Sequence, residues 1–425
     1  MKRIFKGIIL FFMNVSLIFS LSCFWVIAET KPVTIINKDN YYNVVLNFNG
    51  EYTHRQVGVE YAKQIKEVLP EYEALLDSYI AEITMNNNIY QVMLQRVNDL
   101  KAKVNPDYLD EIEGMVSQFS GGNDNVRGDQ KISSDEFYFF NLIPDITRQT
   151  QCSAVAIFGE TSASSLTMVA RNLDWYGGST SQIPKIQAFI TIQQKGKTVY
   201  LIGYLGYQGV ITGFNEHHVF AAILDSGTGT TYASKDKNSY PFDLRYALEN
   251  KNTLNDVAGF MKDSSRNYTF NHLIFLADPR TGQVLENNFS GCVTAKRELR
   301  NSNSVLNPGI QWGIKDTIGA VNSFILSGNY NNQTKNPINT KRWVNLRKQL
   351  LAKVPEGVTW DELKEIISFH HGKRPGTMED GDLYNQSNQQ SILFIPETMQ
   401  LEVFFHPRNS SLPNRPVFEE LTVNH

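Results

Sequence analysis

The spacing of apolar and polar residues changes period partway along the chain. Residues 41–49 alternate, with Tyr42, Val44, Leu46 and Phe48 on one side, and a period of two predicts a half-buried strand. Gly50-Glu51-Tyr52 turns the chain. Residues 57–69 then place Val59, Ala62, Ile65, Val68 and Leu69 on a helical stripe, and Pro70 ends or kinks that helix because it has no amide proton. Helical spacing resumes over 71–104 and 108–119. A Gly-, Asn- and Asp-rich loop over 121–131 and a short helix over 133–142 follow. From residue 152 the spacing predicts strand after strand: 152–158, 166–171, 186–193, 198–205, 210–214 and 219–224. Beyond these come helices over 240–248 and 254–262, strands over 272–277, 284–287 and 291–295, and helices over 342–350 and 360–368. A hairpin of 391–395 with 400–405, turned by Pro396-Glu397-Thr398, closes the chain. Strands in runs and helices in runs predict an α+β layered domain, not a doubly wound parallel sheet.

The first stretch stands apart from this pattern. Met1-Lys2-Arg3 is basic, residues 4–28 are nearly all apolar or small, and Val26-Ile27-Ala28 precedes Glu29. That is the layout of an export signal, so residues 1–28 are expected to be a signal peptide and the protein to be exported. An uncleaved membrane anchor is the rival reading, since the run is long enough to span. Lipid anchoring at Cys23, in Ser20-Leu21-Ser22-Cys23, is a third. The net charge of −3 over 425 residues is spread along the chain. With no basic stretch, nucleic acid is not expected as a partner.

Export leaves two cysteines, Cys152 and Cys292. In an oxidising compartment they can form a disulfide, and a non-catalytic exported binding protein with a Cys152–Cys292 bridge is one reading of the chain. The residues around Cys152 favour another. Residues 152–174 read CSAVAIFGETSASSLTMVARNLD. Two strands paired about Thr161-Ser162 bring Arg171 and Asn172 opposite Cys152, within a residue or two of register, and Asp174 just beyond. An adjacent guanidinium favours a thiolate. No histidine is near in sequence. A break of the Gln151–Cys152 bond would free an α-amine, whose ordinary pKa of roughly 7.7–8.0 suits it to act as the base.

Cys152-Ser153, followed by Ala170-Arg171-Asn172-Leu173-Asp174-Trp175, resembles the mature start of the N-terminal-nucleophile cysteine hydrolases. That family includes acid ceramidase, N-acylethanolamine acid amidase, bile-salt hydrolase and penicillin acyltransferase. Residues 206–216 (GYQGVITGFNE) are similar to the family's G-x-x-G-x-[LI]-T-G and G-x-N-E segments. Residues 320–324 (AVNSF) are similar to its T-N-x-F, and 50–58 to the G-x-x-[YH]-x-x-G of members with a large pro-segment. The resemblance implies a four-layer αββα sandwich of two antiparallel sheets. It implies a helical pro-segment, residues 29–151, kept as a small subunit beside a hydrolase domain of residues 152–425, in a self-cleaved heterodimer. It implies autocleavage between Gln151 and Cys152, with Cys152 as nucleophile and Arg171 and Asp174 orienting it. Asn322 becomes an oxyanion donor and Arg342 a site arginine. Asp225 stands where the bile-salt hydrolases have an oxyanion asparagine, a departure that puts that role in doubt.

The expected activity is hydrolysis of linear C–N amide bonds in N-acyl compounds, or acyl transfer to an amine acceptor. The substrate is a small N-acyl amide, possible lipid or membrane-derived substrates included, and neither cofactor nor metal is expected. Each residue also has a plainer reading: Arg171–Asp174 as an ion pair, Asn322 as a cap, Arg342 as a surface charge, Asp225 as a turn residue. Cys292 reads as a core residue, His217-His218 as a solvated turn and His370-His371 as a helix end. Trp175, Tyr176, Tyr204, Tyr207 and Phe214 read as pocket wall or core.

Overall fold

The computed structural model describes residues 31–147, 150–227, 232–288, 296–330, 336–409 and 411–423. The signal and Cys23, Cys292 and the strand expected over 291–295 lie outside the described residues.

In chain order, strands β1 (Val33–Asn37) and β2 (Tyr42–Asn47) precede helices α1 (His54–Val68), α2 (Tyr72–Thr84), α3 (Asn87–Lys101), α4 (Pro106–Val116), α5 (Ser134–Asn141) and α6 (Ile143–Ile146). Strands β3 (Thr150–Ile157), β4 (Met168–Trp175), β5 (Gln187–Gln194), β6 (Lys197–Tyr204), β7 (Thr212–Asn215) and β8 (Phe220–Asp225) come next. Helices α7 (Tyr240–Asn250) and α8 (Leu254–Met261) are followed by strands β9 (His272–Asp278), β10 (Thr281–Asn287), β11 (Arg297–Arg300) and β12 (Thr317–Val321). Helices α9 (Pro337–Leu351) and α10 (Trp360–Ile367) precede strands β13 (Asn388–Ile395), β14 (Gln400–Phe405) and β15 (Glu419–Leu421).

Two sheets result. The first runs β1-β2-β5-β6-β7-β8-β9-β10-β11 and the second β12-β3-β4-β13-β14-β15. Side chains of the second sheet sort by the two-residue period of a strand. Cys152, Ala154, Ala156, Leu173, Ile392 and Phe394 join the large core shared with the first sheet. Val155, Ile157, Ala170 and Leu393 pack with Trp343, Leu346, Leu363 and Ile366 of α9 and α10. Helices α7 and α8 contribute Leu244, Leu248, Val257 and Met261 to the large core. The architecture is an α+β sandwich with helices outside both sheets.

Two departures from the expected elements have local causes, and a third is set by sheet packing. The helical run over 71–104 is broken at Met85, which has φ 58°, and Asn86 caps the next helix by accepting from Ile89 N at 3.1 Å. The helix expected over 342–350 starts five residues earlier, because Asn336 caps it and Pro337 fits its first turn. The front segment is not purely helical: β1 and β2 extend the first sheet, and β2 pairs with β5 in parallel, whereas the other named strands pair antiparallel. Residues 31–425 form one compact unit in which the front segment shares the core with the body.

Candidate active site

Strand β3 passes through the proposed cut. Thr150 and Gln151 pair with Trp175 and Asp174 just as the residues after them pair onward. The register sets Cys152 opposite Leu173 and Ala154 opposite Arg171, two residues from the sequence expectation and still one that puts Cys152 and Arg171 on the same face. The turn is longer than a symmetric hairpin, since residues 159–161 form a 3₁₀ turn and β4 begins only at Met168.

Cys152 is a free thiol, wholly buried between the sheets. Its Sγ lies 3.4 Å from Arg171 Nη2 and 3.7 Å from the Ile223 carbonyl of β8. Arg171 Nη2 also donates to Ile223 O at 3.1 Å, while its Nε and Nη1 are buried without a partner. Burial pushes the thiol up to about 12; Arg171 and, more weakly, Arg342 pull it down, and Asp174 and Asp225 push with the burial. In the uncut chain the expected thiolate stabilisation by Arg171 is therefore outweighed by desolvation.

Asp174 sits at the next register position, opposite Gln151, so the period of two turns it to the helix-covered face. Its neighbour in that periodicity, Asn172, donates to Ile367 O and Leu383 O at 2.8 and 2.7 Å. Asp174 Oδ1 accepts from Asn388 Nδ2 at 3.3 Å, and its Oδ2 is buried without a partner. Burial raises its carboxyl above the usual range, with Arg342 the largest opposing influence. The structure thus brings Arg171 to the sulfur and Asp174 to the other face of the sheet, beside the Gln151–Cys152 linkage.

Arg342, on α9, is fully buried and spans that linkage. Its Nη1 donates to Gln151 Oε1 at 2.9 Å, and its Nη2 donates to the Cys152 carbonyl and to Asn322 Oδ1, the latter at 3.3 Å. Asn322 follows β12, which pairs with β3. Its Oδ1 accepts the Cys152 N–H at 2.7 Å, and its Nδ2 donates to the Asp225 carbonyl at 2.8 Å. One N–H of the amide expected at an oxyanion is therefore engaged by the Asp225 carbonyl. Asp225 ends β8, and its Oδ1 accepts from Tyr240 OH at 3.1 Å. It is a buried residue tied to Asn322 through its backbone carbonyl.

Tyr204 and Tyr207 are buried, their hydroxyls unpartnered, and burial holds the Tyr204 phenol well above its ordinary range, with Arg171 opposing the shift. The loop that carries Tyr207 is held by the front segment: Tyr72 OH donates to Leu205 O at 2.9 Å, Gly206 N to Tyr61 OH at 3.1 Å, and Gln208 N to Asn141 Oδ1 at 2.7 Å. Gly206 is required there, since its φ is +76° and a Cβ would lie 2.2 Å from Tyr72 Oη. Tyr240, Ser239 and Asp145 were not singled out by sequence. They sit in ordinary helix-cap and loop contexts, and only the fold shows that they meet near Asp225.

No family model matches the chain, and no curated protein matches it in sequence. Among solved structures, it is similar to the Caenorhabditis elegans ortholog of N-acylethanolamine-hydrolyzing acid amidase at 15% identity and TM-score 0.44, over 62% of this chain and 100% of that one. A mutant conjugated bile acid hydrolase from Clostridium perfringens aligns at 12% identity and TM-score 0.38, over 64% of this chain and 97% of that one. Penicillin V acylase from Agrobacterium tumefaciens aligns at 12% identity and TM-score 0.38, over 60% and 83%.

Proposed function

We propose that the chain is an amide hydrolase that makes its own nucleophile by cutting itself between Gln151 and Cys152. The observation that carries this reading is the environment of one residue: a free, buried thiol beside a guanidinium, with its own backbone N–H held by Asn322 at 2.7 Å. A structural cysteine needs none of these partners.

In the first stage the Cys152 sulfur attacks the Gln151 carbonyl carbon. A C–S bond forms, the C–N bond breaks, and the thiol proton passes to the departing nitrogen, which becomes the α-amine of Cys152. Water then hydrolyses the thioester, leaving a Gln151 carboxylate and the thiol. In the second stage the amine takes the thiol proton while sulfur attacks an N-acyl amide; the amine returns the proton to the leaving nitrogen and water releases the acid. Arg171 holds charge on sulfur. Asn322 keeps the new amine in place through Oδ1, and the N–H of its amide not given to Asp225 O serves as an oxyanion donor together with backbone N–H groups. Asp174 and Arg342 form the charged wall on the far side.

The test is direct. Wild-type protein should yield two pieces, the larger beginning at Cys152 by N-terminal sequencing, and should hydrolyse members of an N-acyl amide panel. Cys152→Ala should stay a single chain with no turnover. Splitting of that variant, or full activity in an intact wild-type chain, would refute the reading.

A further inference from the structure

The stretch just before the proposed cut is held more firmly than its length explains. Helix α6 is a single turn, Ile143–Ile146, too short to be stable alone. Three successive carbonyls in it are each taken by a side chain from elsewhere. Pro144 O accepts from Tyr240 OH at 2.7 Å, Asp145 O from Tyr232 OH at 3.2 Å, and Ile146 O from Arg96 Nη1 at 2.6 Å. The guanidinium of Arg96 also lies over the Tyr232 ring at 3.7 Å. The Asp145 carboxylate caps α7 of the body: Oδ2 accepts from Ser239 Oγ at 2.6 Å and Oδ1 from Tyr240 N at 3.2 Å. Asp145, Ser239 and Tyr240 are all buried.

The same Tyr240 hydroxyl lies 3.1 Å from Asp225 Oδ1, and the Asp225 carbonyl holds Asn322, which holds the Cys152 N–H. The chain is therefore gripped on both sides of the Gln151–Cys152 bond. Upstream the grip is α6 on the start of α7 and Arg342 on the Gln151 side chain, and downstream it is Asn322 on the Cys152 N–H and Arg342 on the Cys152 carbonyl. Tyr240 touches both grips.

We propose that Ser239 and Tyr240 are positioning residues for self-cleavage, docking Asp145 and Pro144 so that the Gln151 carbonyl is presented to the Cys152 sulfur. This deepens the self-cutting reading and rests on it. Such a cut needs the attacked carbon held near the sulfur before reaction, and loss of that placement costs rate more than stability. The dock is made of groups that bear no proton in the reaction.

The experiment follows pulse-labelled full-length chains and reads the fraction split over time. Ser239→Ala combined with Tyr240→Phe should slow splitting about tenfold or more, and Ser239→Thr, which keeps the hydroxyl, should split at the wild-type rate. The same double substitution placed in the Cys152→Ala chain should unfold within about 2 °C of its parent, since the effect sought is on rate. Splitting at the wild-type rate in the double variant overturns the proposal and leaves self-cutting intact. A slowed cut accompanied by a large fall in Tm also overturns it, since the residues would then serve only the fold. A wild-type chain that never splits removes the self-cutting reading itself, and the dock loses its role with it.

Discussion

At Cys152, burial and charge oppose one another. Desolvation dominates in the uncut chain, and Arg171 at 3.4 Å recovers part of the loss. Removing the guanidinium takes away the nearest cation, so Arg171→Met should raise the thiol of the cut enzyme by roughly 1–3 pH units. Iodoacetamide alkylation of Cys152 against pH reads the shift, and an unchanged profile would deny Arg171 its role. The uncut chain should behave differently from both. Its thiol keeps its proton up to about 12 while the unfolded thiol loses its own near 9.0. Between those values the unfolded state binds fewer protons, so this residue makes the folded chain less stable as pH rises. Asn322→Ala should lower turnover by about 10²–10³-fold if its amide supports the oxyanion, with kcat, not KM, carrying the change.

Among the elements, the junction of front segment and body is charged as well as apolar. Helices α1 and α4 cross closely because Gly58 and Gly114 have no Cβ; one at Gly58 would sit 2.1 Å from Glu111 O. At that crossing Glu111 receives His54 Nδ1 at 2.8 Å and both Arg245 terminal nitrogens at 2.7 and 2.8 Å. Arg245 also donates to Glu249 and to Gln208 O. Glu111→Gln leaves Arg245 buried with a weakened partner and should destabilise the chain by about 3 kcal/mol, readable as a lower urea midpoint. The His54 pKa is raised: burial alone would lower it, and Glu111 and Asp107 outweigh both that and Arg245. A raised folded pKa contributes stability that is full below 6.5, the ordinary value, and is lost as pH climbs through the folded one. Between pH 5.5 and 8 wild type should therefore lose more Tm than His54→Gln; parallel curves would dismiss the linkage.

For the whole molecule, the consequence is mutual dependence of the two expected pieces. Strand β2 pairs with β5, and Val44, Leu46, Tyr61, Ile65 and Phe137 belong to the same core as Cys152 and Phe214. Residues 152–425 made alone would expose the edge of β5 and a large apolar face, both routes to aggregation. That fragment should be insoluble by itself and recovered when residues 29–151 are co-expressed. A soluble monomeric fragment would show the front segment to be dispensable for folding.

What the chain by itself determined is what short-range periodicity and local chemistry encode. The alternation in β2, the stripe in α1, the run of strands after Cys152 and the C-S…R-N-L-D spacing fix elements that form wherever their apolar faces find cover. They also fix the meeting of Cys152 with Arg171, since one hairpin and a period of two suffice. Tertiary structure alone decided the rest. The partner of Asp174, Asn388 on β13, comes from 214 residues further along the chain. Asn322 joins Cys152 N to Asp225 O, and Tyr240 reaches Pro144, across separations of 96 to 170 residues. β2 joins the body in parallel. Contacts at such separation are set by how layers pack against one another, and no local pattern of residues records that.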